Sequence, residues 1–228
     1  MTATAVRPEQ DAPAPAPRGR GLRALLLAVT AVALVALGGG LAVGLGIGAT
    51  PTPTADSVDA GFSRDMAVHH RQGVEMANLA LERSSDPEVR QLAFDISATQ
   101  TNQAGRMEGW LSLWGVPRSG GDHMAWMGGH SGHSGHSGED GAVMPGMATE
   151  AELAQLRSLS GPEFVVEFLR LMTRHHQGGF DMAEYAAENA EVTAVRTLAR
   201  SIADTQSAEV GTMVGMLTAR GGTPLPAP

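Results

Sequence analysis

The 228-residue chain contains no cysteine and no lysine, and Phe, Trp and Tyr together make up only 4% of it. Without cysteine there is no disulfide framework, no thiolate zinc site and no thiol nucleophile, so soft-metal chemistry falls to Met and nitrogen ligation to His. Scarce aromatics beside 12 Met leave a core of Ala, Leu, Val and Met, which suits close-packed helices and excludes an ordinary β-sandwich. Basic charge is short as well: the 16 basic residues, all Arg, face 24 acidic ones, and a net charge of -8 argues against a phosphate-binding surface. No nucleic-acid partner is expected. The length allows one domain with extensions.

Charge is absent altogether between Arg23 and Asp56. Residues 1–20, rich in Pro and Ala, read as a disordered cytoplasmic N-terminus, and 21–49 as a transmembrane anchor or signal, since about 20 apolar residues span a bilayer. Arg18, Arg20 and Arg23 before the run, against Asp56 and Asp59 after it, place the N-terminus in the cytoplasm and the remainder outside the cell membrane, single-pass. Cleavage of the segment as a signal, giving a secreted protein, is the alternative.

What is present in abundance is internal repetition. Residues 62–111 align without a gap on 168–217: Phe62 with Phe168, Met66 with Met172, His69-His70 with His175-His176, Met76 with Met182, Ile96 with Ile202, Gln100 with Gln206 and Met107 with Met213. Each copy reads as a helical hairpin, 56–114 and 150–220. Asp86-Pro87 marks the restart in the first; Ser160, Pro162 and Glu163 suggest a capping box opening the second. Two hairpins that cannot bury their apolar faces alone dock together, so the expected fold is all-α, a four-helix bundle behind one N-terminal membrane helix. Residues 115–149, rich in Gly, Ser, His and Met, read as a flexible crossover, and 221–228 as a disordered tail.

On the first helix of each copy the His pair and its flanking Met share a face of about 120° of arc, with Gly73 or Gly179 inside it to leave room. Imidazole suits copper, zinc, iron or nickel and thioether favours copper(I), so a Cys-free His/Met cluster points to copper, as copper(I) rather than copper(II). Each imidazole would need an outer-shell acceptor, for which Glu75, Asp181 and the glutamines are candidates. In the linker, His123, Met124, Met127, His130, His133 and His136 form an auxiliary set able to bind metal loosely. Met at helical spacing is more often core filler than ligand, but paired His at equivalent positions of both repeats shifts the balance. Non-enzymatic bundles whose His pairs are structural, or titrate between about pH 5 and 7 to shift an interface, are the alternative.

Enzymatic readings find little support. A carboxylate-bridged di-iron bundle needs Glu-x-x-His on two helices, and the sequence has none. It has no His-Glu-x-x-His motif, phosphate loop or nucleophile elbow either, which leaves a metal-dependent oxidase as a weak possibility.

The run Phe62, Met66, His69-His70, Gln72, Glu75-Met76-Ala77, followed by Leu92-Ala93, Ile96, Gln100, Met107 and Trp110-Leu111, resembles the ferritin-like domain-of-unknown-function family three-hundred-five. Phe168 to Leu217 resembles it again, so the likeness covers about 57–218. The resemblance implies a four-helix bundle, frequently exported or membrane-anchored, with copper binding in some members. It implies the ligands Met66, His69, His70, Met76 and Met107, with Met172, His175, His176, Met182 and Met213. The copies differ where Gln103 faces Glu209 and Gln72 faces Gly178, so the two halves are expected to treat a metal unequally.

Overall fold

The helix starts are written locally. Ser57 Oγ accepts the Ala60 N–H at 3.2 Å, and Asp86 Oδ1, just before Pro87, accepts from Glu88 and Val89, so one orphan donor of the first of these turns and two of the second are spoken for. In this computed structural model, which describes residues 20–47, 52–130 and 142–228, with the backbone alone at 20, 129 and 130, these caps open two of six α-helices. In chain order they are α1 (Arg20–Gly44), α2 (Val58–Arg83), α3 (Pro87–Trp114), α4 (Glu150–Ser158), α5 (Gly161–Asn189) and α6 (Thr193–Ala219), with a short 3-10 helix at Ala125–His130. No strand occurs among the described residues.

The chain divides into two units, Met1–Pro51 and Thr52–Pro228. In the first, Gly21–Gly44 is one helix of mean hydropathy 2.4, long and apolar enough to cross a membrane or to serve as a signal. Residues 1–19, expected to be a disordered N-terminus, lie outside the described residues, as do 131–141 with His133 and His136.

In the second unit, α2 packs on α3, α5 on α6, and the two hairpins meet along α2 and α5. Both hairpins are antiparallel: α2 and α3 pair through Asn78 with Ser97, His70 with Gln103 and Arg71 with Glu108. α2 and α5 also run antiparallel, since Asp59 at the start of α2 meets the end of α5 while Arg83 at its end donates to Leu159 O. The apolar core falls into two clusters. One gathers Phe62, Met66, Met107, Met182 and Ile202; the other gathers Met76, Ile96, Phe164, Phe168, Met172 and Met213.

Two helix starts differ from the expected capping chemistry. Ser160 makes no side-chain cap, and Gly161 follows it at φ 59°. The capping box lies instead at Thr149 and Glu152, which exchange both bonds and begin α4. Likewise α6 lacks a side-chain cap at Val192; Asp59 of α2 instead holds the chain just ahead of the helix, accepting the Glu191 and Val192 N–H groups at 3.0 and 2.8 Å. Asp59 is 1% exposed, and Asp59→Ala would remove the acceptor of two part-buried donors; we expect a loss of about 1–3 kcal/mol, read as a lowered urea midpoint at unchanged slope.

The ends of the crossover are packed. Trp126, Met144, Met147 and Ala148 are buried, and Gln72 clamps Ala148 by both backbone groups at 2.9 and 2.7 Å. In the tail, Leu225 packs against the second core cluster. Nothing in the composition of 115–149 or 221–228 foretold these anchors, because they depend on which helix surface lies beneath.

Candidate metal centre

Between the two core clusters lies a polar layer. The Met residues sit on either side of it, and its centre is His69, His70, His175 and His176, all at 0% exposure. They reach the middle because α2 and α5 cross there, and Gly73 and Gly179 leave room for the opposite ring: a Cβ on Gly73 would lie 3.1 Å from His175 Cε1, and one on Gly179 3.0 Å from His69 Cε1. The His69 and His175 rings lie with centroids 3.8 Å apart, tilted by 32°, and their neighbours His70 and His176 stand 6.5 and 6.0 Å away.

Hydrogen bonding separates the four imidazoles. His69 Nε2 donates to Pro145 O at 3.2 Å, His175 Nε2 to His69 O at 3.0 Å and His70 Nε2 to Gln103 Oε1 at 2.7 Å. In each of these three the Nδ1 is buried without a partner. A ring that donates one N–H to a protein oxygen keeps a lone pair on the other nitrogen, the state in which imidazole binds a metal. His176 differs: Nδ1 faces Met172 O at 3.0 Å and Nε2 faces Glu209 Oε2 at 2.8 Å. The inequality read from Gln103 against Glu209 is thus built into the second layer of contacts. Glu75, one of the acceptors considered from sequence, is instead paired with Arg157, and Asp181 is exposed. They lie on the outward faces of α2 and α5, so the acceptor role passes to side chains of α3 and α6, to the linker carbonyl of Pro145 and, for His175, to the His69 carbonyl.

The thioethers are shared between repeats. Met66 and Met107 of the first copy join Met182 of the second in one cluster, and Met172 and Met213 join Met76 in the other. Antiparallel docking of α2 on α5 forces this exchange. Among the described residues no three His, Asp or Glu side chains form a ligand set by themselves. Linker residues fall elsewhere: His123 pairs with Asp65, Met124 and Met127 pack against the first cluster, and the His130 side chain, with His133 and His136, is outside the described set. Sequence reading did not single out Pro145, whose carbonyl caps His69; only the Gln72/Gly178 mismatch hinted at it, because a Cβ on Gly178 would sit 2.1 Å from that oxygen.

Burial depresses the imidazoles. His69 is lowered to about 4 by desolvation, opposed by the Pro145 carbonyl and helped by His176; His70 is lowered to about 3 by desolvation and then by His69. His175 is driven well below 6.5 by burial first and by His69 next. These three rings therefore stay neutral across pH 5 to 7, which removes them from the role of native-state switch in that window. The unfolded chain protonates near 6.5 and native His69 near 4, so the stability this ring contributes is complete above 6.5 and is lost as pH falls toward 4. Metal-free protein should lose about 3 kcal/mol from His69 alone between pH 7 and 4, measurable by urea unfolding across that range.

An all-helical protein with paired helical repeats around a buried His and Met layer is the class these features define. The family Domain of unknown function (DUF305) matches residues 59–217, and the chain belongs to it. A DUF305 protein of Streptomyces coelicolor, described as secreted, is 44% identical, with 76% of this chain and 99% of that one covered at a TM-score of 0.68. A DUF305 fragment from Deinococcus radiodurans is 37% identical over 74% and 99%, at 0.60. CopM in its Cu(I)-bound form is 26% identical over 71% and 96%, at 0.53; its Cu(II)-bound form is 26% identical over 72% and 97%, at 0.56. CopM has also been crystallised bound to Ag. No functionally curated protein matches the chain.

Proposed function

We propose that this is a membrane-anchored, extracytoplasmic copper-binding protein that buffers or hands on the ion without turnover, its repeats 56–114 and 150–220 forming a ferritin-like four-helix bundle. The observation that carries the reading is the trio of buried, unpartnered Nδ1 atoms on His69, His70 and His175, each ring already oriented through its Nε2. Such atoms are costly in an apolar interior unless a ligand compensates them. Thioethers of Met66, Met107 and Met182, and of Met76, Met172 and Met213, complete the donor set from the two sides and favour copper(I) over copper(II). His176 joins only by giving up Glu209 or the Met172 carbonyl. The Cu(I)-, Cu(II)- and Ag-bound forms of CopM support the choice of metal.

The test is a copper(I) titration of the full-length protein in detergent against a chromogenic chelator, with a phenolic substrate as a control for oxidase turnover. Copper withdrawn from the chelator without oxidation of the phenol is the expected result. Failure to compete for copper(I) at any protein excess would sink the proposal.

A further inference from the structure

α2 carries a buried acid that its repeat partner lacks: Asp65 is 2% exposed and aligns with Leu171. An unpaired carboxylate in such a place would cost several kcal/mol, and here both oxygens are used. Oδ1 accepts from His123 Nδ1 at 2.9 Å; Oδ2 accepts from the Met124 N–H and from Trp126 Nε1, each at 2.8 Å. All three donors come from one short stretch of the crossover. Two further features serve the same seating. Gly61 leaves the space that Trp126 fills, since a Cβ there would come within 2.3 Å of the indole. Met124 is the one non-glycine residue with positive φ among the described residues, at 65°, a conformation costing on the order of 1 kcal/mol that its bond to Asp65 offsets.

The result is a fixed imidazole. Its Nδ1 faces a buried carboxylate, so Nε2 is the nitrogen left for a ligand, and its side chain is 39% exposed. A carboxylate behind the far nitrogen is the usual support of a metal-bound His, setting the tautomer and raising the basicity of the free nitrogen. Two soft donors, Met124 and Met127, lie in the same turn and are only partly buried. We propose that His123, positioned by Asp65, forms with Met124 and Met127 a surface docking site for a soft monovalent cation, copper(I) or silver(I), distinct from the buried histidine layer. The choice of metal rests on the function proposed above; the site itself does not require the buried layer to bind anything.

The experiment uses silver(I), which is redox-inert, on the full-length protein in detergent, following side-chain nitrogen resonances of the histidines by long-range 15N–1H spectra. The His123 Nε2 resonance should shift on silver addition while Nδ1 keeps its proton. Asp65→Asn should weaken this site about 10-fold or more, and Met124→Leu with Met127→Leu should weaken silver binding at His123 without changing its response to nickel(II), which needs no sulfur. A His123 resonance unmoved at silver saturation, or a His123 affinity unchanged by both sets of substitutions, would overturn the site. Shifts of His69, His70 and His175 with His123 silent overturn the docking site alone; a shift of His123 with those three silent upholds it and counts against the buried layer.

Discussion

Replacing His69, His70 and His175 together by Ala is expected to lower copper(I) affinity by 100-fold or more in chelator competition, whereas His176→Ala alone should cost much less. The difference follows from which nitrogens are free. The first three rings hold a buried, unpartnered Nδ1, and under the function proposed above each of them is a ligand that truncation removes. In His176 both nitrogens already face oxygens, so its truncation removes a support and releases Glu209 to solvent, where that carboxylate is easily hydrated. Truncating three buried rings also opens cavities of the kind that cost 2–5 kcal/mol each. For that reason the comparison should include far-ultraviolet circular dichroism and His70→Gln, which keeps the volume and an amide able to face Gln103. A triple variant that stays helical and still competes for copper(I) as the parent does would leave the histidine layer structural.

The second large effect is expected at Gly178. A Cβ there would lie 2.1 Å from Pro145 O, 2.4 Å from Pro145 C and 2.7 Å from Gly146 N. These are backbone atoms of a segment pinned by Gln72 through Ala148 and by Arg174 through Met147 O, so they cannot step aside one at a time. Gly146, at φ 77° and itself close against Arg174 O, cannot absorb the movement either. Gly178→Ala should therefore lift the whole strap, strip His69 Nε2 of its acceptor and destabilise the protein by about 2–4 kcal/mol. The readouts are thermal unfolding and limited proteolysis, with new cleavage between Met144 and Thr149. By contrast Gly105→Ala, which meets nothing within 4 Å, should be silent or mildly stabilising through its helix propensity. If Gly178→Ala behaved like Gly105→Ala, the strap would not be seated on α5 as described.

The two predictions test different layers of the same arrangement. The histidines provide donors; the strap controls how one of them is oriented and covered. They are coupled through Pro145 O on His69 Nε2 and through Met144 and Met147 packed with Met66 and Met182, so under the proposed function Gly178→Ala should alter the rate of metal uptake more than the number of ions bound.

What the sequence determined by itself are the properties that local chemistry and repetition encode. Ser57, Asp86 and Pro87 fix helix starts because caps act within four residues, and the gapless repeat makes two hairpins out of one pattern. The membership of His69, His70, His175 and His176 in the interior was readable from the shared face with Met, because a helical period of 3.6 places those residues together in any fold. Tertiary structure alone decided the rest. Antiparallel docking of α2 on α5 put Met66 and Met107 with Met182, and Met172 and Met213 with Met76, which no single-helix projection contains. It also assigned the acceptors, Gln103, Glu209 and Pro145, and turned part of a Gly- and His-rich linker into a seated strap with Asp65 beneath His123. The physical reason is range: caps and periodicity act over a turn or two, whereas these hydrogen-bonded partners lie 33 to 76 residues apart and meet only when the helices have packed.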